Sequence, residues 1–353
     1  MKRNILMCGS ELSVKGGMVS VIKNYLAYEK WEDYNIIYVP THTEKNKLVV
    51  AIYFLVAYVK IVILGMRGKI SLAYLHTAEK GSFFRKAIIV RTLKKMGIKT
   101  IMHHHAAEFE EFYDNLSEKG KKYVNDTLEL TDINIVLSKS LVPMITRKAP
   151  NATVKVLYNA VKTYPDKPYN ENGNIVLFLG RLGKRKGAYD LLQVIAALDK
   201  KIDADIKFGL CGDGEVENVA VKVKELGIEH RISHIGWIDG EQKASILSNT
   251  IINVLPSYNE GLPMTILETM AYGIPNISTN IASIPEVLED GVNGFLMEPG
   301  DTDALETKLE KLINDKELRR KFSNESWNLI NDRFALEKHM LTVKKYIYEL
   351  IGK

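Results

Sequence analysis

Disulfide chemistry is nearly absent from this chain, whose 353 residues include two cysteines, Cys8 and Cys211. So few cannot build a disulfide framework, and they fit a reducing compartment. No Gly-Lys-Ser/Thr phosphate loop occurs, and neither half carries a Gly-x-Gly-x-x-Gly fingerprint. Both absences argue against a P-loop enzyme and a nicotinamide dehydrogenase. Long apolar runs are equally scarce. The one candidate, residues 48–65, is 18 residues long with Lys60 inside it, where a spanning helix wants about 20 apolar residues. Lys45, Lys47, Arg67 and Lys69 flank it at both ends without a bias to one side. It is read as a buried or surface-docked helix. Behind the basic start, only Ile5 to Cys8 is apolar, too short for a secretory leader. A cytoplasmic location, extending to the inner face of the membrane, is the expectation.

The rest is ordinary for a globular protein. At 46% apolar and 26% charged residues, the composition excludes disorder and collagen-like repeats. The length exceeds what one hydrophobic core usually serves, so two domains are expected. Charge is unevenly shared. Residues 1–160 hold 24 Lys and Arg against 14 Asp and Glu, a net of +10, whereas residues 161–353 hold 24 against 29, a net of −5. A basic first half implies an anionic partner: nucleic acid, a phosphorylated substrate or a membrane surface.

Short apolar runs alternate with helical patterns along the whole chain. Strands are expected at residues 4–8, 35–39, 71–75, 99–103, 134–137 and 155–158, then again at 174–179, 205–210, 232–235, 251–255 and 275–278. Such alternation implies parallel sheets covered on both faces. Thr163 to Gly173, with two prolines and no apolar periodicity, reads as the linker. The expected architecture is α/β, two Rossmann-like doubly wound domains facing across a cleft. The first would be residues 1–165, with a last helix near 338–353 packing back on it, and the second residues 166–337. Ligands in such sheets bind beyond the carboxyl ends of the strands.

Three loops at such positions carry chemistry. Cys8 to Gly17 ends in Gly16-Gly17 at a helix start, where backbone amides can approach an anion. That loop is equally compatible with a plain turn. Gly180-Arg181-Leu-Gly-Lys-Arg-Lys186-Gly187 delivers several cations from a buried strand into a loop, a pattern suited to phosphate. The third runs from Pro256 through Glu260-Gly261-Leu262-Pro263-Met264-Thr265 to Glu268. Pro263 suits the first turn of a helix, so the neighbouring amides and two carboxylates would converge on one ligand. His103-His104-His105 invites a metal reading, but along a strand only His103 and His105 share a face, and no further ligand is spaced to complete a site. No metal is expected. Asp203-x-Asp205 and Asp301-x-Asp303 are read as surface acids, and Trp237 as either core or a wall of the base pocket.

These residues, with Cys211-Gly-Asp-Gly214, Ile235-Gly-Trp237 and Ile284-Pro-Glu-Val through Gly294-Phe-Leu, resemble the retaining family-4 glycosyltransferases of the GT-B fold. The resemblance implies that Arg181 and Lys186 hold the diphosphate of a nucleotide-sugar, UDP-sugar favoured, aided by Gly180, by Gly261 to Thr265, and by Gly16 and Gly17. It further implies that Glu260 contacts the transferred sugar, Glu268 the ribose, and His105 the donor or acceptor. The implied acceptor is a glycan or lipid-linked saccharide of surface polysaccharide or glycolipid synthesis, with no nucleic acid and no metal cofactor. Two departures stand out: Thr269 replaces an alanine, and Ala282-Ser283 replace a glycine pair in a loop near the donor. Alternatives are a nucleotide-sugar epimerase of the same architecture and an inactive glycan-binding scaffold. Finally, residues 82–99 carry Arg85, Lys86, Arg91, Lys94, Lys95 and Lys99 beside apolar residues at helical spacing, so this helix is expected to contact an anionic membrane.

Overall fold

A computed structural model describes residues 2–105 and 108–352. The chain divides into two compact units, residues 1–159 with 337–353, and residues 160–336.

The first unit alternates strand and helix: β1 (Arg3–Gly9), α1 (Gly17–Ala27), β2 (Tyr34–Pro40), α2 (Lys47–Met66), β3 (Leu72–Thr77), α3 (Gly81–Lys95) and β4 (Lys99–His104). Then follow α4 (Phe109–Asp114), α5 (Glu118–Leu130), β5 (Ile133–Val136), α6 (Val142–Thr146) and β6 (Val154–Val156). The strands pair in parallel in the order β2-β1-β3-β4-β5-β6. Ile5 to Cys8 of β1 and Leu72 to Leu75 of β3 are wholly buried, because a central parallel strand is covered on both faces and reads as an unbroken apolar run.

In the second unit come β7 (Ile175–Leu179), α7 (Ala188–Leu198), β8 (Lys207–Cys211), α8 (Val216–Glu225), β9 (Ile232–Gly236) and α9 (Gly240–Ser248). After them lie β10 (Thr250–Leu255), α10 (Met264–Ala271), β11 (Asn276–Thr279), β12 (Gly294–Met297), α11 (Thr302–Asn314) and α12 (Lys316–Leu329). Its parallel sheet runs β9-β8-β7-β10-β11-β12. The chain builds outward from β7 in one direction, then returns to β10 and builds in the other. That reversal makes the β7/β10 boundary the topological switch point. Helix starts are set locally: Asp239 and Gln242 form a reciprocal capping box on α9, and the Asp301 and Asp315 side chains cap α11 and α12. Asp301 and Asp203, whose carboxylate accepts from the Asp205 amide, therefore serve backbone turns.

The last helix, α13 (Leu336–Ile351), belongs almost entirely to the first unit. Its buried residues His339, Met340, Val343 and Ile347 recur at helical spacing. His339 Nδ1 donates to the Tyr158 carbonyl at 2.8 Å, so its Nε2 accepts from the Tyr25 hydroxyl at 2.6 Å.

Three expectations need correction. The boundary falls at Asn159–Ala160, not at residue 165. The Thr163–Gly173 stretch packs on the second unit through its tyrosines: Tyr164 lies 4.8 Å from the Tyr272 ring, and Tyr169 donates to the Ile251 carbonyl. Proline content marked the right region, but the aromatics decide where it lies. Second, β12 was not anticipated. Third, residues 82–99 do not offer a membrane face. Phe83, Lys86, Ala87, Ile89, Val90 and Leu93 of α3 are buried. Lys86 donates to the Thr41 hydroxyl, Arg91 lies over the Tyr123 ring and donates to Thr127, and Lys94 and Lys99 pair with Asp132. Four of its cations, Lys86, Arg91, Lys94 and Lys99, are engaged within the unit because Thr41, Asp132 and the Tyr123 carbonyl lie beside them. Arg85 is half-buried with its Nε unpartnered among the described residues, and Lys95 stays exposed.

Candidate functional site

Both sequence-selected loops of the second unit emerge at the switch point. Gly180 to Gly187 follows β7, and Pro256 to Pro263 follows β10. They are fastened together by backbone: the Tyr258 amide donates to the Arg185 carbonyl at 2.9 Å, and the Arg185 guanidinium to the Asn259 carbonyl. Gly187, at φ 72°, passes so close to Pro256 that a Cβ would stand 2.1 Å from its carbonyl oxygen. Gly212 likewise leaves no room, since its Cβ would lie 1.9 Å from the Gly180 carbonyl oxygen. Glycine is required at both positions by contact, which explains the motif spacing.

Lys186 ends a short 3-10 turn, Lys184–Lys186, and its ammonium pairs with the Glu260 carboxylate. Glu260 is buried and also accepts from the Ser257 hydroxyl at 2.7 Å. Burial pulls the Lys186 ammonium below the ordinary lysine range, and the Glu260 carboxylate opposes that pull. Arg181 differs. Its guanidinium is largely exposed, with Asp213 at 3.5 Å, so it is available to an incoming anion. Pro263 is the N-cap of α10, one position before the expected first turn. Its first amides, from Met264 and Thr265, have no intrahelical acceptor, and no side chain among the described residues caps them. Gly261, Leu262 and Pro263 are buried in the approach to it.

Glu268 lies in the second turn of α10 and pairs with Lys243 of α9 at 2.6 Å. Lys243 is a site residue that sequence reading missed; nothing in its helical surroundings marks it. Thr269 is buried, and its hydroxyl reaches Asn276, which also accepts from Asn253, so threonine replaces alanine to tie α10 to β10 and β11. Ala282 adopts φ 47°, the left-handed conformation that the expected glycine would take. Trp237 is about half exposed, which removes the core reading.

In the first unit the strand alternation holds. His103 and His105 share a face, with ring centroids 4.3 Å apart, while His104 turns to Asn134 and Phe109. His76 of β3, not anticipated, joins them: its Nδ1 lies 3.0 Å from His105 Nε2. Tyr74, Tyr25 and His339 extend this network. The Nε2 atoms of His76 and His103 are buried without a partner among the described residues. Burial drives these rings down, His105 to about 3, His104 and His339 to about 4, and His76 and His103 well below the usual histidine range. All are neutral near pH 7. One ligand atom each from His76, His103 and His105 lie within 4.8 Å of one another, a set of neutral imidazoles able to hold a divalent ion. Gly16 is the exposed N-cap of α1 at φ 143°, with no side-chain cap, and Gly17 is its first residue.

Two doubly wound units, one carrying a cation–carboxylate loop pair at its switch point, define the GT-B class of glycosyltransferase folds. Residues 159–328, nearly the whole second unit, match the family model "Glycosyl transferases group 1". Among curated relatives, N-acetyl-alpha-D-glucosaminyl L-malate synthase of Bacillus anthracis is 29% identical over 64% of this chain and 61% of its own. An N-acetyl-D-galactosaminyltransferase of Campylobacter jejuni, whose name specifies an undecaprenol-diphosphate-linked saccharide, is 32% identical over 44% and 42%. Both aligned parts span less than two thirds of those relatives. Sucrose-phosphate synthase of Thermosynechococcus elongatus superposes with TM-score 0.80 and 17% identity over 99% of each chain. HepE of Anabaena, in complex with UDP-glucose, superposes with TM-score 0.76 and 17% identity over 98% and 99%.

Proposed function

We propose that the chain is a retaining, metal-independent glycosyltransferase of family 4, transferring a sugar from a UDP-sugar to a glycan or lipid-linked saccharide in surface polysaccharide or glycolipid synthesis. The observation that carries this reading is the Lys186–Glu260 junction at the β7/β10 switch point, with exposed Arg181 in the same loop as Lys186. The UDP-glucose complex of HepE supports the donor, and the lipid-linked saccharide in the Campylobacter relative's name supports the acceptor.

The chemistry divides by residue. Expelling a diphosphate is the difficult part, and Arg181, Lys186 and the first amides of α10 neutralise the charge that develops on it. Glu260 orients the sugar hydroxyls while keeping Lys186 charged. Glu268 takes the ribose hydroxyls, exchanging part of its pairing with Lys243. Within the first unit, His105, a neutral imidazole, and the Gly16-Gly17 turn, with its free helix-start amides, are the residues proposed to serve the reaction. The acceptor oxygen attacks the anomeric carbon on the face the diphosphate leaves, and its proton passes to a departing phosphate oxygen. The products are the new glycoside and UDP, with no protein base required.

A thermal-shift series with UDP, GDP and ADP and their sugars tests the donor. UDP at about 100 times its Kd should stabilise the protein by about 2.7 kcal/mol. Retention is read by NMR of the product's anomeric proton, and metal independence by activity that survives EDTA. Turnover of UDP-N-acetylglucosamine without any acceptor would assign an epimerase instead, and absence of any nucleotide shift would remove the transferase reading.

A further inference from the structure

Helix α2 is built inside out. Leu48, Ile52, Leu55, Val56, Val59 and Met66 are 48–71% exposed, and they recur along its outer face at helical spacing. The inner face is already satisfied: Ala57 and Ile61 are buried, Phe54, Tyr58 and Leu64 pack on the core, and the Tyr58 hydroxyl bonds Thr92 of α3 at 2.8 Å. A 20-residue helix is roughly 30 Å long, so the apolar stripe is continuous over that length and larger than stray surface apolarity explains. Charge frames the stripe with one sign. Lys45, Lys47, Lys60, Arg67 and Lys69 are all exposed, none forms an ion pair among the described residues, and no Asp or Glu occurs from residue 45 to 78.

We propose that α2 is an interfacial anchor that lies in the plane of an anionic bilayer, its stripe among the acyl chains and its flanking cations at the headgroups. Length and composition alone would let α2 span a membrane, but its inner face is part of the core of the first unit, so it lies flat. Lys60, in the middle of the outer face, has the reach to bring its ammonium back to the headgroups. A second copy of the chain fits less well. Both ends of α2 are cationic, so parallel and antiparallel pairings alike set Lys and Arg against Lys and Arg.

The test is cosedimentation of the full chain with phosphatidylcholine vesicles with and without phosphatidylglycerol. The wild type should sediment with the anionic vesicles, and added salt should release part of it. Leu55→Glu with Val59→Glu, both at exposed positions, should abolish sedimentation while the melting temperature holds. Replacing Lys45, Lys47, Arg67 and Lys69 by Gln should weaken binding about fivefold per cation. Should the Glu variant fold poorly, Leu55→Cys carrying a polarity-sensitive dye replaces it, and its emission should shift to the blue on anionic vesicles. A wild type that ignores anionic vesicles at low ionic strength overturns the proposal, as does a dye that reports no change. A wild-type dimer in solution that the Glu pair converts to monomer, without vesicle binding, assigns the stripe to a second copy instead.

Discussion

Arg181 and Lys186 carry the same charge in the same loop, yet they should fail differently when removed. Arg181 is exposed and loosely paired, so Arg181→Ala should leave the melting temperature unchanged and lower turnover by about 10²–10³. Lys186→Ala leaves the buried Glu260 carboxylate unpaired, which should destabilise the fold by about 3–5 kcal/mol in addition to any loss of turnover. Urea titration of both variants separates the two effects. Ala282 holds a conformation that costs a non-glycine residue about 1–2 kcal/mol, so Ala282→Gly should raise the urea midpoint or leave it unchanged. For the histidines the sign follows from burial. His104 and His339 titrate near 4 in the fold against 6.5 free. Between those values the unfolded chain binds more protons, so stability falls as pH drops through 6.5 and the loss is complete below about 4. Urea midpoints measured between pH 7.5 and 5 should show that decline, and a His104→Gln variant should show a shallower one.

Elements that were readable from the sequence owe it to continuous burial. β1, β3, β7 and β10 are apolar almost throughout, and the loops that follow β7 and β10 carry cations and carboxylates that their glycines hold in contact. Gly187 is the strongest case. Gly187→Ala should cost about 1–3 kcal/mol through its clash with Pro256 and should abolish the UDP-induced thermal shift by parting the two loops. β12 escaped notice because Gly294-Phe-Leu was read as the end of the Ile284-Pro-Glu-Val motif and not as a strand of its own. His76 and Lys243 escaped because a site formed by pairing neighbouring strands or helices leaves no local spacing. The basic side of α3 misleads for a different reason. Both α2 and α3 read as amphipathic or apolar, and only the tertiary partners Asp132, Thr41 and Tyr123 reveal that the basic side of α3 is engaged within the unit. The hydropathy of α2 is plain from sequence; that its apolar side faces outward is not.

At the scale of the whole chain, the second unit is an insertion. Its ends lie side by side: Val161 bridges Ala335, its amide donates to the Phe334 carbonyl, and its carbonyl accepts from the Leu336 amide. A fragment of residues 160–336 should therefore fold cooperatively and keep the UDP-induced shift at reduced magnitude. A melt without cooperativity would show that the insertion depends on its host. The placement of α13 also imposes an order on synthesis. The strands β1 to β6 leave the ribosome first, but His339, which completes the buried Tyr25–Tyr74 network, arrives only after the entire second unit. At roughly 5–20 residues per second, the first unit spends on the order of ten seconds or more with the groove for α13 open. During that interval the exposed stripe of α2 has company, so the nascent first half is the stretch of this chain most in need of a chaperone.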